Sequence, residues 1–380
     1  MSIRILKKCG VLLLCAALCF TVCSTASAEA FPGTVSAKSA ILISADTGTV
    51  LYEKNASEQL PMASTTKIMT ALLALEKAER EGDPIVSVTQ EMVAVEGSSM
   101  GLRAGDRLSL TNLTAGMLLA SGNDAANAAA LFVAGSAEKF ADLMNARASE
   151  IGMEQTHFVT PSGLDDEAHY STAHDMALLA RAALKNESFR TLASSSTYRV
   201  EFQEPKKMVD YTNHNKLLWM YEGCIGVKTG FTKKSGRCLV SAAERDGMTL
   251  IAVTLNAPDD WEDHRVMLDY GFSTAQQVTF DESGFRASLP VVGGDMDSVT
   301  VAGMNGGSVT IPREDSGKFE KRVFLPAFLY APVQEGDVAG RIGYYLDGAE
   351  FYSVPLTVKN SVSAKAEPEG IWERVLNWIT

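Results

Sequence analysis

The chain has 380 residues, of which 46% are hydrophobic and 21% are charged, and its formal net charge is −12. This composition excludes a disordered chain, and the length exceeds that of one ordinary domain, which suggests two. The acidic excess argues against nucleic acid as a partner, because phosphate binding requires clustered Lys and Arg.

The first 28 residues have the pattern of a secretory signal peptide. Arg4, Lys7 and Lys8 precede an almost wholly apolar run over 11–22, and residues 26–28 are a small-residue cleavage site, Ala-Ser-Ala. The apolar run is too short to cross a bilayer of about 30 Å comfortably. We therefore expect cleavage and export of the protein.

Residues 40–272 predict strands at both ends of a long run of helices. Residues 40–53 predict two strands joined by an Asp-Thr-Gly turn, and residues 65–80 predict a helix with one apolar face. Four further helices are predicted, over 111–121, 123–134, 136–151 and 173–185. Three short strands and a last helix follow, over 224–227, 238–241, 249–256 and 261–272.

From about residue 275 to 360 the pattern indicates a separate, small all-β domain. Short β-rich runs are separated by glycine pairs, and the Asp347-Gly348 pair between two apolar runs predicts a hairpin. The β-rich runs are 287–292, 298–303, 308–312, 321–329, 341–346 and 350–358.

The last twenty residues, 361–380, combine a polar linker with an amphipathic tail. After the linker 361–370, six apolar residues recur at helical spacing, and these are Ile371, Trp372, Val375, Leu376, Trp378 and Ile379. Tryptophan suits the lipid headgroup boundary, and a helix this short would lie in the interface rather than span the bilayer. We expect peripheral attachment to the outer face of the cytoplasmic membrane. The alternative is that the tail packs on its own β-domain or on a second copy.

A candidate nucleophile and a candidate base stand three residues apart at the start of the predicted helix 65–80. Ser64 and Lys67 form an S-x-x-K motif, and residues with this spacing lie on one helix face. Acyl transfer needs such a pair. The helix dipole and desolvation both lower the pKa of a lysine placed there, which must be neutral to act as a base. Alone, the motif also fits a chance match.

Two further motifs complete the candidate site. In Ser121-Gly122-Asn123, a hydroxyl could relay a proton and an amide could hold a substrate carbonyl. Lys228-Thr229-Gly230 is predicted to end a strand, where the glycine would let an extended peptide approach closely. Taken alone, each also fits a structural interpretation, as a helix-breaking turn or a basic strand end.

The three motifs in this order are the signature of penicillin-binding proteins and class A β-lactamases. Over nearly all of its mature length the chain resembles the low-molecular-mass D-alanyl-D-alanine carboxypeptidases. Three stretches around the motifs carry the resemblance: PMASTTKIMTALLALE, LLASGNDAANAAA and GVKTGFTKKSGRCLVSAA. Two more, GLDDEAHYSTAHDMALLARAAL and LDYGF, extend it.

The resemblance implies an α+β fold of the β-lactamase and penicillin-binding-protein type. A catalytic domain over 29–274 would have an antiparallel sheet flanked by helices and a helical subdomain, with a small β-sandwich domain over 275–360. The substrates would be peptidoglycan stem peptides ending in D-Ala-D-Ala, and β-lactam antibiotics would bind covalently.

The resemblance also implies a role for each motif residue. Ser64 would be the nucleophile and Lys67 its general base, with Ser121 assisting proton transfer. The substrate would be bound by Asn123, Lys228, Thr229 and Gly230. The backbone N–H of Ser64 would form half of the oxyanion hole, and the other half would come from the strand just after Gly230, near Thr232.

One feature departs from the pattern of some relatives, which carry a carboxylate-binding arginine several residues before a Tyr-Gly-Phe stretch. Here that place has Pro258-Asp259-Asp260, and Arg265 lies closer to Tyr270. We therefore leave Arg265 out of the predicted site, so the second residue that holds the terminal carboxylate stays open.

Two alternative functions remain. A β-lactamase of the same fold would need a loop glutamate for deacylation; Glu167 lies in a comparable loop but lacks an accompanying E-x-x-x-N pattern. A non-catalytic wall-binding or β-lactam-sensing protein would not need every catalytic group.

We expect neither a cofactor nor a metal site. The five histidines show no HExxH pattern and no pairing with cysteines. Only Cys224 and Cys238 lie outside the signal segment, and whether they are oxidised stays open.

Overall fold

A five-stranded antiparallel sheet forms the centre of the computed structural model, which describes residues 31–365. Its strand order is β2-β1-β9-β8-β7, which leaves β7 at one edge. The strands are β1 (Ser39–Ser44), β2 (Val50–Lys54), β7 (Cys224–Thr232), β8 (Gly236–Arg245) and β9 (Met248–Leu255).

Alternate residues of the strands point to opposite sides of this sheet, and both sides are buried. Ile41 and Ile43 of β1 pack into one large core with the helices. Leu42, between them, packs into a second core with Met267 and Leu268. The sheet is thus covered by helices on both sides, which fixes its register.

A helical cluster covers the first face. Its helices are α1 (Lys67–Glu81), α2 (Leu110–Leu119), α3 (Asn123–Ala134), α4 (Ala137–Ile151), α5 (Ala173–Ala183) and α6 (Glu187–Ser194). Side-chain caps begin several of them: the side chains of Ser109, Ser136, Thr172 and Asn186 each accept a backbone N–H of the first turn. The short α7 (Leu217–Met220) precedes β7, and α8 (Asp260–Thr274) covers the other face of the sheet.

A small antiparallel sheet borders the helical cluster in the order β3-β4-β5-β6. Its strands are β3 (Ile85–Ser87), β4 (Arg107–Ser109), β5 (Thr197–Glu204) and β6 (Lys207–Thr212). The sequence analysis predicted none of these four strands, although Tyr198, Val200 and Phe202 of β5 alternate with polar residues, which is the period of a half-buried strand.

From α8 to residue 365 the chain is β-rich, with one 3-10 turn at Arg313–Asp315, and has a core of its own. It contains β10 (Ala275–Asp281), β11 (Arg286–Val292), β12 (Ser298–Ala302), β13 (Asn305–Pro312), β14 (Glu320–Phe324), β15 (Leu329–Tyr330), β16 (Val338–Leu346) and β17 (Ala349–Val358). Phe280, Val301, Ile342 and Leu356 are among its buried residues. β16 and β17 form a hairpin in which Asp347 and Gly348 both have positive φ, as the Asp-Gly signal predicted.

The predicted fold class is confirmed: helices flank an antiparallel sheet, and an all-β region follows. The predicted signal peptide, 1–28, and the amphipathic tail, 371–380, lie outside the described residues. Within residues 31–365, no helix combines the length and the apolar character that crossing a membrane requires.

Candidate active site

Ser64 lies in a tight 3-10 turn, Ala63–Thr66, that runs directly into α1. Ala63, just before it, has a positive φ of 49°, which is uncommon for a residue with a side chain. Two hydroxyls hold this turn: Thr65 Oγ1 donates to the Met62 carbonyl at 2.6 Å, and Thr66 Oγ1 donates to the Ala63 carbonyl at 2.8 Å. Ser64 is thereby presented to a cavity of about 280 Å³.

The Lys67 amine is fully buried and lies 2.8 Å from Ser64 Oγ. It also contacts Asn123 Oδ1 and the Ser162 carbonyl, each at 2.7 Å. Because Asn123 Nδ2 donates to the Glu96 carbonyl, its Oδ1 must face Lys67. Both contacts can only accept, so a neutral amine donates its two hydrogens to them and directs its lone pair at the Ser64 hydroxyl.

Burial lowers the pKa of Lys67 well below its ordinary value, and the positive charge of Lys228 lowers it further. The nearby carboxylate of Asp124 opposes both effects. The site therefore favours the neutral amine that proton abstraction needs.

Ser121, which lines the same cavity as Ser64, forms a second hydroxyl–amine pair with Lys228. Lys228 Nζ donates to Ser121 Oγ at 3.0 Å and to the Thr229 carbonyl at 2.9 Å. Burial lowers the pKa of Lys228 to about 7. Ser121 has a positive φ of 57° in the turn that precedes α3. The structure thus brings Ser64, Lys67, Ser121, Asn123 and Lys228 together, at the distances given above.

Gly230 lets the edge strand β7 approach the nucleophile turn. A Cβ atom at Gly230 would lie 3.0 Å from the Met62 carbonyl and 3.1 Å from the backbone nitrogens of Ser64 and Thr65. These are tighter than ordinary contacts, so only glycine fits without movement. The expectation that this motif ends a strand is wrong: β7 continues to Thr232 and pairs with β8 throughout.

The second oxyanion-hole donor is not Thr232. Its backbone N–H donates to Ser235 Oγ at 3.0 Å and is therefore occupied. Successive residues of a strand direct their N–H groups to opposite edges, so the N–H of Phe231 points to the free edge of β7. Phe231 also lines the cavity, beside Ser64.

The loop over 159–169 closes the site from the side of the helical cluster. Ser162 supplies a carbonyl to Lys67, and Asp165 accepts a hydrogen bond from Thr232 Oγ1 at 2.8 Å. Glu167, the candidate deacylation residue of the β-lactamase alternative, is exposed and is not among the residues that line the Ser64 cavity.

Within residues 31–365, no group of three or more His, Cys, Asp and Glu side chains could hold a metal ion. Cys224 and Cys238 are both free thiols there. Strand register separates them, since Cys224 lies opposite Ala243 and Cys238 opposite Gly230.

Comparison with known proteins agrees with this geometry. A family model described as D-alanyl-D-alanine carboxypeptidase matches residues 24–259, which is more than half of the chain. The chain belongs to the D-alanyl-D-alanine carboxypeptidase family. A second model, described as the C-terminal domain of penicillin-binding protein 5, matches residues 274–364.

Relatives of this carboxypeptidase family match along most of the chain. DacF of Bacillus subtilis is 34% identical, over 86% of this chain and 86% of its own length. DacC of Escherichia coli is also 34% identical, over 91% of this chain and 88% of its own. The solved structure of penicillin-binding protein 5 from Haemophilus influenzae covers 88% of this chain and is itself fully covered, with a TM-score of 0.71 and 28% identity.

Arg237 is a cavity residue that the sequence analysis missed. It lies on β8 opposite Phe231 and lines the Ser64 cavity. Its Nε donates to Asp260 Oδ1 at 2.9 Å, and its guanidinium lies 5.5 Å from the ring centroid of Trp261. Asp260 stands in the stretch where some members of the family carry an arginine. The sequence offered one signal for it: pairing 224–232 with 236–245 as a single hairpin would have placed Arg237 beside the Lys228-Thr229-Gly230 motif.

Arg265, which the sequence analysis left out, is held elsewhere. Its guanidinium pairs with Glu262 and Asp269 on its own helix, α8, and the residue lines a neighbouring cavity.

Proposed function

We propose that this protein is a serine-type D-Ala-D-Ala carboxypeptidase that removes the terminal D-alanine from peptidoglycan stem pentapeptides through an acyl-enzyme on Ser64. The observation that carries the proposal is the buried Lys67 amine, 2.8 Å from Ser64 Oγ, with its two other contacts on acceptors. This arrangement supplies the activated nucleophile that acyl transfer requires.

Acylation begins when Ser64 Oγ attacks the carbonyl carbon of the penultimate D-alanine, and its proton moves to the Lys67 lone pair. The N–H groups of Ser64 and Phe231 stabilise the oxyanion. Collapse breaks the C–N bond to the terminal D-alanine. The departing amine takes up the proton that Lys67 received, relayed through the Ser121 hydroxyl, which Lys228 contacts at 3.0 Å. Lys67 is thereby neutral again. Water then attacks the ester, with Lys67 again as base, and regenerates Ser64.

The substrate lies along the free edge of β7 as an additional strand, where backbone groups hold an extended peptide. Its terminal carboxylate is bound by the Thr229 hydroxyl and the Arg237 guanidinium, both of which line the cavity. Asp260 and Trp261 hold the Arg237 guanidinium in place. Because arginine has five N–H donors, some remain available to the substrate carboxylate. Asn123, fixed by Lys67 and the Glu96 carbonyl, holds a substrate carbonyl through the second hydrogen of its Nδ2.

β-Lactams acylate the same serine. Glu167 is exposed and does not line the cavity, so its carboxylate is not placed to activate water for deacylation. We therefore expect these adducts to release slowly. The β-lactamase alternative is disfavoured because Glu167 does not line the Ser64 cavity. The complete set of catalytic groups argues against a non-catalytic sensor.

The protein acts outside the cytoplasm, where its substrate is found. This part of the proposal rests on the sequence of two segments outside the described residues. Residues 1–28 have the pattern of a cleaved signal peptide. Residues 371–380 have the apolar spacing of an interfacial helix, which would attach the protein to the outer face of the cytoplasmic membrane.

The test is covalent labelling with a fluorescent penicillin, together with mass analysis of D-alanine released from a pentapeptide. Wild-type protein should show both activities, and Ser64→Ala should show neither. Ser39→Ala, which removes a buried serine hydroxyl bonded to the Asn55 carbonyl, is the control and should retain both. Labelling that survives in Ser64→Ala would contradict the assignment of the nucleophile.

A further inference from the structure

His169 is buried beneath the nucleophile turn and contacts it through Thr66. Its Nδ1 accepts the backbone N–H of Val159 at 2.9 Å and, at 3.3 Å, that of Thr160. Burial lowers the pKa of His169 to about 4, against the opposing charge of Asp166; His157 lowers it further and Asp165 opposes it, and the ring is neutral at pH 7. A neutral imidazole that accepts at Nδ1 must carry its proton on Nε2.

The tautomer sets the direction of a short hydrogen-bond chain. His169 Nε2 lies 2.8 Å from Thr66 Oγ1, so this N–H donates to the hydroxyl. The Thr66 hydroxyl in turn donates to the Ala63 carbonyl at 2.8 Å, because a carbonyl can only accept. Each donor in the chain has one defined acceptor.

The Ala63 carbonyl belongs to the same peptide unit as the Ser64 N–H. A peptide unit is planar and rigid, so fixing the carbonyl oxygen also fixes the direction of the N–H on its other side. This N–H is the oxyanion donor of the proposed mechanism. A hydrogen bond accepted by the carbonyl also polarises the unit and strengthens the N–H as a donor.

The turn needs such support. Ala63 has a positive φ of 49°, a conformation that costs free energy for a residue with a side chain and persists only when its surroundings impose it. A Cβ atom at Gly163 would lie 1.9 Å from the Ala63 oxygen, so the 159–169 loop packs directly on this peptide unit.

We propose that His169 and Thr66 are positioning residues that orient the Ser64 N–H as an oxyanion-hole donor. Neither residue touches the substrate; each acts through the Ala63–Ser64 peptide unit. The inference rests on the proposed function, because it assigns a role in the stabilisation of the acylation transition state.

The first experiment compares two threonines about one helical turn apart, Thr66 in the 3-10 turn and Thr70 in α1. Thr66→Val removes the hydroxyl that reaches the Ala63 carbonyl. Thr70→Val is the matched control, since the buried Thr70 hydroxyl donates to Pro161 of the same loop at 2.6 Å but does not reach the turn. Thr66→Val should lower the penicillin acylation rate constant and kcat for peptide by about tenfold or more, with KM little changed. Thr70→Val should keep both near wild type, and Thr66→Ser should restore most of the loss.

The second experiment separates the two nitrogens of His169. Glutamine can place an N–H near the position of Nε2, and asparagine can place an acceptor near the position of Nδ1. If His169 acts through Thr66, His169→Gln should retain more acylation than His169→Asn. If it only holds the loop through Val159 and Thr160, the order should be reversed.

Wild-type acylation and Ser64→Ala test the proposed function separately from this inference. The inference is overturned if wild type acylates while Thr66→Val acylates equally fast, or if His169→Asn exceeds His169→Gln. Melting temperatures of all variants are measured alongside. If Thr66→Val does not fold, the order of the two His169 variants and the rate of Thr66→Ser still decide.

Discussion

Two lysines beside two serines control the protonation chemistry of this site. Lys67 and Lys228 are both buried, and burial is the largest cause of the lowered pKa of each. Two charged ammonium groups near one another in a low-dielectric site are costly, so each favours the neutral form of the other. Ser64 and Ser121 thereby lie beside two amines whose pKa values are both lowered.

The first prediction concerns pH. Neutral Lys67 is the base, so the acylation rate should rise as pH increases through its lowered pKa and level off below about 10.4, the pKa of an ordinary lysine. Lys228→Met removes a positive charge that lowers the pKa of Lys67, so the rising limb should move to higher pH although the maximal rate also falls. Stopped-flow acylation from pH 5 to 10 measures the limb, and a rate that is flat over this range would exclude a lysine base.

The second prediction concerns Arg237. Arg237→Ala should raise KM for a D-Ala-D-Ala peptide by about tenfold, because a charge-assisted hydrogen bond at a partly exposed site is lost. The preference for a free carboxylate over a C-terminal amide should shrink by a similar factor. Arg265→Ala is the control, since its guanidinium is paired with Glu262 and Asp269. Equal kinetics for the two variants would remove Arg237 from the site.

At the scale of elements, the nucleophile turn is enclosed by a strand edge on one side and the 159–169 loop on the other. The strand approaches through Gly230, and the loop approaches through Gly163. A Cβ at Gly163 would clash outright, and one at Gly230 would fit only if its neighbours moved by a few tenths of an ångström. The position of Ser64 therefore depends on two glycines distant in sequence.

The third prediction follows from this packing. Gly163→Ala would place a Cβ 1.9 Å from the Ala63 oxygen at a residue with φ of +82°, so the turn must shift. Acylation should fall by about a hundredfold. Gly152→Ala is the matched control, because Gly152 has a similar φ of +89° but nothing within 4 Å of an added Cβ. It should lose stability with little loss of acylation, and equal acylation losses would contradict a steric effect on the turn.

At the scale of the whole molecule, the all-β region after α8 is attached to the sheet that carries the site. Asp46, in the turn between β1 and β2, accepts the backbone N–H of Thr310 at 2.7 Å, and Arg313 Nε donates to the Ser273 carbonyl at 2.9 Å. The limits of the predicted domains, 29–274 and 275–360, stay predictions.

The fourth prediction concerns attachment to membranes. Deleting residues 367–380 should move the mature protein from the vesicle pellet to the supernatant and leave activity on a soluble peptide intact, because the site is complete within residues 31–365. Replacing Trp372 and Trp378 by serine should act like the deletion, and Asn377→Ser, on the other side of the predicted helix, should not. Full-length mature protein that stays soluble with phosphatidylglycerol vesicles present would exclude the anchor.

The fold class followed from the resemblance to a known family, whereas residue patterns alone predict most helices of the catalytic region and the pairing of Ser64 with Lys67. These features depend on local periodicity or on a spacing of three residues at a helix start, which fixes geometry within one turn. The β16–β17 hairpin was likewise predictable, because its Asp-Gly turn is a local signal.

The further groups that support the site come together only through long-range contacts in the folded chain. Thr66 and His169 are 103 positions apart, and Arg237 enters the cavity through its register with β7. The same register carries β7 beyond Gly230, where a glycine appeared to end the strand. Such contacts depend on the path of the chain between elements, and residue spacing along the sequence carries no information about that path.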